Sequence, residues 1–217
     1  GVDINLYIGS DVQAMVGGKP LRLRQSGGYP WTEHVQIEID TDQPLHATLA
    51  LRLPDWCASP QVMLNGKPLA LSALTRSGYL RLTQDWQKGD RIEMTLPMPV
   101  TRVKGNALLR HVAGKVAIQR GPLVYCLEQA DNGSELHNVR LPQDAEFRLI
   151  SGSGLFAGKT LLQTQGERRL SVQADQQPLY SFNPPAEETT SQTLTFVPYF
   201  TWANRGEGEM RVWIDQI

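Results

Sequence analysis

The residues most able to do covalent or metal chemistry here are two cysteines, Cys57 and Cys126, 69 positions apart. Zinc and dithiol chemistry need thiolates that converge, and the sequence signature of that is a close pair such as CxxC. This chain has no such pair. One disulfide between the two is the alternative to free thiols; two free thiols in a reducing, cytoplasmic setting is the simpler expectation. Cys126 sits in VAIQRGPLVYCLEQADN, residues 116–132, where two apolar runs flank Arg120-Gly121-Pro122. Leu123, Tyr125 and Leu127 share one face of the second run, and Val124 and Cys126 share the other. Both faces are apolar, so the run reads as a strand covered on both sides. A thiol buried there is a small hydrophobe whose ionisation desolvation opposes.

Hydrolysis without a thiolate needs two opposed carboxylates or a nucleophile with its base. Asp40 and Asp42, Glu187 and Glu188, and Glu207 and Glu209 are close in sequence. All lie at strand ends or beside Gly, Pro or Thr, where solvated turn residues are the better account. His34, His46, His111 and His137 are scattered, and no two have the spacing that puts two imidazoles on one face. Gly152-Ser153-Gly154 lacks the Gly-x-Ser-x-Gly spacing of a nucleophile elbow. The pairs Gly17-Gly18 and Gly27-Gly28 do not sit in a strand–GxGxxG–helix setting, so no nucleotide site is expected. Trp31, Trp56, Trp86, Trp202 and Trp213 could stack on sugar rings, but filling cores and inter-domain seams is the favoured role. The expected assignment is therefore no catalytic, cofactor-binding or metal-binding residue.

The elements that must position these residues are strands. In Val35-Gln36-Ile37-Glu38-Ile39-Asp40 the odd positions are apolar and the even ones polar. Leu45 to Leu53, Leu80 to Thr83 and Ile92 to Leu96 repeat the period of two, as expected of strands with one wet face. Asn65-Gly66 suits a two-residue hairpin, and Lys88-Gly89-Asp90 marks another turn. Pro97 and Pro99 should end a central strand, and 101–114 is polar and irregular. A domain boundary is thus placed near Lys104, giving units 1–104 and 105–217. Strands resume over 116–119, 123–127, 147–150, 160–163, 169–173, 193–200 and 209–214, with an irregular connection over 175–192. No helix of ordinary length is expected. The fold class is all-β: two consecutive antiparallel, jelly-roll-like β-sandwich domains.

The 217 residues carry 21 Lys and Arg against 22 Asp and Glu. Residues 1–104 hold 11 against 10 and the remainder 10 against 12, so neither half has the positive excess that nucleic-acid binding needs. No apolar run nears the roughly 20 residues of a membrane span. The opening Gly1-Val2-Asp3, running at once into INLYIG, has the look of a cut end.

Several stretches together resemble the C-terminal part of glycoside hydrolase family 127, the β-L-arabinofuranosidase family. They are GGYPWTEHVQIEID (27–40), LRLPDWC with VMLNGKPL (51–57, 62–69) and GYLRLTQDWQKGDRIEMTLPMPV (78–100). HVAGKVAIQRGPLVYCLE (111–128) and FVPYFTWANRGEGEMRVWI (196–214) follow in the second half. The resemblance implies two β-sandwiches that follow a helical (α/α)₆ barrel, and an active site in that barrel with a zinc-bound cysteine nucleophile beside a Glu. Two of the family's cysteines are adjacent. Cys57 and Cys126 match none of them, so no catalytic residue is carried over, and any zinc belongs to the barrel. The expected role is a non-catalytic accessory region packed on that barrel; an independent carbohydrate-binding module is the alternative, and a self-contained hydrolase ranks last. Expected partners are the barrel itself, with a second copy or a carbohydrate as further ones, and neither nucleic acid nor membrane. The apolar seam facing the barrel is expected around Tyr29-Pro30-Trp31 and Ile4, Leu6 and Tyr7.

Overall fold

The computed structural model describes residues 1–170, 180, 182 and 186–217. The chain divides into two compact units, Gly1–Pro99 and Val100–Ile217. Both are built of strands. The α-helices among the described residues, α1 (Leu71–Leu74) and α2 (Gln129–Asn132), are one turn each.

The first unit holds β1 (Val2–Ile4), β2 (Ser10–Val16), β3 (Lys19–Gly27), β4 (His34–Asp40) and β5 (Leu45–Arg52). It continues with β6 (Gln61–Leu64), β7 (Lys67–Pro68), β8 (Thr75–Arg76), β9 (Tyr79–Trp86) and β10 (Arg91–Thr95). They form two sheets, ordered β1-β5-β9-β8 and β2-β3-β4-β10-β6-β7. The period-two pattern sets which face is dry. Val35, Ile37 and Ile39 of β4 are buried, as are Leu45, Ala47, Leu49 and Leu51 of β5, and they share one core. Apolar faces from both sheets meet in that core, which makes the unit a sandwich. Trp86 is fully buried, and its indole N–H donates to the Ala47 carbonyl at 3.0 Å, so its one polar atom is satisfied. Asn65-Gly66 forms the expected turn, both residues at positive φ, with Leu64 facing Lys67. Gly17-Gly18, weighed above only as a nucleotide motif, makes the same kind of turn between β2 and β3. Pairing is antiparallel except for β1 on β5.

The second unit holds β11 (Val100–Lys104), β12 (Lys115–Arg120), β13 (Leu123–Glu128), β14 (Val139–Leu141) and β15 (Arg148–Ser151). β16 (Thr160–Arg169), β17 (Thr189–Pro198), β18 (Met210–Arg211) and β19 (Ile214–Gln216) complete it. Its layers are joined by continuous pairing: β12-β19-β14-β16-β17-β13 returns to β12. One edge of β12 serves both β13, through Ile118–Arg120, and β19, through Lys115 and Val116. The enclosed core takes Val116, Ile118, Tyr125, Leu127, Leu162, Leu194, Phe196 and Ile214 from this circuit. The β14–β19 pair is parallel; the others are antiparallel.

Arg120-Gly121-Pro122-Leu123 is a tight hairpin, with Arg120 paired to Leu123. Gly121 has φ +55°, and proline's ring keeps the next φ negative. A positive φ at the first central position alone is the type II′ pattern, which matches the right-handed twist of the flanking strands.

The units divide at Pro99 rather than near Lys104, because Val100–Lys104 pairs along the length of β12. The strands expected at 160–163 and 169–173 are one strand through Arg169, with 171–173 outside the described residues. Gly166 lies inside it. A Cβ there would meet Leu194 Cδ1 at 2.4 Å and the Arg140 carbonyl oxygen at 2.9 Å. The glycine marks a close approach of β14 to β16 and not a turn. Part of the irregular connection expected over 175–192 is strand, since β17 begins at Thr189; 175–179, 181 and 183–185 lie outside the described residues.

Gly166→Ala should therefore destabilise the second unit by about 1–3 kcal/mol through overpacking against a backbone atom. Denaturant melts check this; an unchanged midpoint would mean that β14 and β16 are not held this closely.

Candidate functional site

The residues singled out for their chemistry do not converge. Asp40 pairs with Arg22 and Lys88, each at 3.3 Å, and Asp42 with Arg22 at 3.5 Å. Lys88 first, then Arg22, holds the Asp40 carboxyl below its usual range. Glu187 pairs with Arg140 and Arg169, while Glu207 is exposed. His46 Nδ1 lies 2.8 Å from Asp85 on an exposed surface, and His34 lies near Thr95. Among the described residues no group of three His, Cys, Asp or Glu side chains could hold a metal ion. No helix among them is long and apolar enough to cross a membrane.

Both cysteines are free, buried and in separate cores. Cys126 is fully buried among Phe156, Leu161 and Val197. Burial first, then the charge of Glu128, pushes its thiol up to about 12. Burial also raises Cys57. The covered strand read from sequence holds at Cys126, but Val124 on the same face is 40% exposed. The cover is local: the turn at Phe156 and the start of β16 reach Cys126 only.

The seam expected in the first unit is partly core, with Tyr29, Pro30 and Trp31 half-buried. Ile4 and Tyr7 are buried, and Tyr29 packs edge-on against Tyr7 at 5.9 Å. Leu6, at 62%, is the exposed member. The outer face of the six-stranded sheet carries instead a groove of about 620 Å³ lined by both signs of charge. Arg24–Asp11 at 2.9 Å and Arg91–Glu38 at 3.2 Å join the pairs around Asp40. Such exposed pairs contribute little individually, and they leave the groove close to neutral.

The second unit presents a different surface. After Pro198 a 3-10 turn, Tyr199–Thr201, leads into a loop that runs to Glu209. Tyr199, Phe200 and Trp202 are 45%, 58% and 42% exposed, and the Tyr199 and Trp202 rings lie within 13° of parallel. The backbone beneath them is fixed. The Thr201 hydroxyl donates to the Pro198 carbonyl at 2.6 Å, and the Asn204 amide to the Thr201 carbonyl at 2.9 Å. The Ala203 N–H donates to the buried Glu128 carboxylate at 3.2 Å. Ala203 has φ +65°, a left-handed conformation that costs an L-residue roughly 1–2 kcal/mol. The Arg205 guanidinium forks between Glu128, with Nε at 3.0 Å, and Asp131, with Nη1 at 2.8 Å, and lies over the Phe156 ring. These two carboxylates raise the Arg205 pKa further. Of the five tryptophans, Trp86 fills a core; Trp31, Trp56 and Trp213 are half-buried; Trp202 is the exposed one. Sequence reasoning weighed Trp202 only among the five. The signal that could have set it apart is its crowding with Tyr199 and Phe200 just after a strand-ending proline.

At the far end of the loop the Glu209 carboxylate accepts from the N–H groups of Glu135 and Leu136, both at 2.8 Å. Those bonds hold its carboxyl below its usual range. A lowered folded pKa means stabilisation that is complete above the unfolded value, near 4.3, and is lost as pH falls through the folded one. Melting temperatures of wild type and Glu209→Gln should therefore differ at pH 7 and converge in acid; a constant gap would show that the carboxylate charge is not involved. For Cys126, disulfide-exchange labelling should be slow in the folded chain and fast in denaturant. Cys126→Ala should cost on the order of 1 kcal/mol through a small cavity, and Cys126→Ser more. Native labelling at the denatured rate would contradict the burial.

Comparison with known proteins places this geometry. Residues 1–98 match the model of the GH127 beta-L-arabinofuranosidase middle domain, and residues 100–215 that of the glycoside hydrolase family 127 C-terminal domain. A non-reducing end beta-L-arabinofuranosidase of Bifidobacterium longum subsp. longum is 36% identical over 203 residues, covering 88% of this chain and 30% of that protein. The crystal structure of a GH127 beta-L-arabinofuranosidase from Geobacillus stearothermophilus T6 superposes with TM-score 0.91 at 37% identity, over 99% of this chain and 33% of its own. A GH127 beta-arabinofuranosidase structure does so with TM-score 0.88 at 29% identity, over 99% and 34%. The chain thus spans about a third of the length of these relatives. With both of its units matched end to end, it belongs to glycoside hydrolase family 127, as that family's middle domain followed by its C-terminal domain.

Proposed function

We propose that these two domains are the non-catalytic accessory region of a β-L-arabinofuranosidase-like enzyme and pack on its catalytic helical barrel. The observation that carries this reading is the coverage: 99% of this chain superposes on a relative of which it accounts for only 33%. The pairing of Asp40, Asp42 and Glu187 with cations, and the burial of both thiols, support it from the chemical side. A carboxylate already bound by two cations and a thiol with a raised pKa are poor nucleophiles and poor bases. Zinc-thiolate chemistry would belong to the barrel. Two free, buried thiols also fit a cytoplasmic setting for the enzyme.

The test has two arms. The purified chain should release no sugar from an aryl β-L-arabinofuranoside and bind no stoichiometric zinc. A chimera in which these domains replace the equivalent third of the bifidobacterial relative should hydrolyse the same substrate. Turnover by the isolated chain that survives repurification, or a chimera that never becomes active, would sink the accessory reading.

A further inference from the structure

We infer that the Tyr199–Trp202 turn of the second unit is a docking point for the remainder of the enzyme, an apolar protein surface tethered in the same polypeptide. This rests on the accessory reading above and adds to it the residues that make the contact. Three features of the turn separate it from incidental exposed apolar residues.

First, its aromatics are exposed although their backbone is held. The Glu128 carboxylate, the Arg205 fork and the Thr201 and Asn204 bonds fix the loop before anything touches it. A surface fixed in advance loses little conformational entropy on docking. Second, the charges beneath it are already paired. Glu128 and Asp131 share Arg205, so covering the rings strands neither of these carboxylates, the usual penalty for burying such a place, while the exposed Glu207 stays at the rim. Third, the patch extends beyond the turn. The ladder ends with Tyr125 opposite Pro198, and Val124, the next residue on β13 at that end, is 40% exposed.

Its size selects the occupant. A free partner or a second copy needs about 20–30 residues a side to hold. Four apolar residues do not reach that. They suffice for a partner held in the same chain, where effective concentration replaces area. The relatives carry such a partner in outline, since these two domains make up only about a third of their length. A flat sugar is the competing occupant. The small hollow beside Trp202, lined by Glu128, Arg205 and Glu207, is about 20 Å³ and adds no enclosing pocket to the open rings.

The experiment places Tyr199→Ala with Trp202→Ala in the chimera and, separately, in the isolated chain. In the chimera the half-life of activity at a fixed elevated temperature should shorten roughly tenfold, as for loss of a hot-spot contact. The isolated chain should keep its melting temperature, because the rings contribute little to its own core. Arg24→Ala in the charged groove of the first unit should leave both unchanged. An active chimera indifferent to the aromatic substitutions overturns this inference and spares the accessory reading. A chimera that is unfolded with Tyr199 and Trp202 intact overturns both. An equal loss in the isolated chain would make the rings structural. Heat released on titrating the isolated chain with an arabino-oligosaccharide, and lost in the Trp202 variant, would assign the turn to sugar instead.

Discussion

The second unit depends on one side chain that behaves as backbone. β13 pairs with β17 as far as Leu127 opposite Phe196. Beyond that the chain turns into α2, and the peptide groups of Thr195 lose their strand partner. The Asn132 amide takes that place: its nitrogen donates to the Thr195 carbonyl and its oxygen accepts from the Thr195 N–H, both at 2.9 Å. The same nitrogen reaches the Glu128 carbonyl at 3.0 Å. Only a primary amide offers donor and acceptor in this geometry, and each buried backbone group left unmet would cost about 1–3 kcal/mol. The Asn132 carbonyl in turn accepts from Arg168 and Gln192.

Much of the loop chemistry hangs from that fixed turn. Glu128 lies at its start and Asp131 within it, so their carboxylates converge on Arg205 from one short stretch of chain. Gln129 brackets Glu209 from both sides, its N–H donating to the Glu209 carbonyl and its side-chain oxygen accepting the Glu209 N–H. The buried polar groups here satisfy each other and hold a surface in shape. The outer sheet face of the first unit does something different with similar residues: its ion pairs are open to water.

The alternating stretches were legible because burial of one sheet face writes itself into every second residue. Val35, Ile37 and Ile39, and the leucines from Leu45 to Leu51, fall where that rule puts them. The Asn65-Gly66 hairpin was legible through turn chemistry, and Arg120-Gly121-Pro122 showed as an interruption between two apolar runs. Gly166 makes room for a neighbour inside a strand, a role that no local pattern announces, and β17 ends at Pro198, opposite Tyr125, two residues short of the expected 200. β2, at the sheet edge, carries Val12 at 40% and Met15 at 66% exposure. An edge strand half out of the core has no clean alternation to read. The Glu128–Arg205 contact joins residues 77 positions apart, and no local pattern announces it.

The shared edge of β12 bears on how such a chain is made. The first unit has all its strands once Thr95 has been synthesised, and its pairings can close while translation continues. The circuit of the second unit closes only when Val116 meets Ile214, a contact between residues nearly a hundred positions apart. Until then β12 and β14 each have an edge waiting for β19, and the enclosed core stands open on that side. Closing so long a loop is slow relative to local hairpins. The three residues of β19 are thus the latch of the whole second unit, and the interval before they arrive is when its apolar strands are most exposed to mispairing.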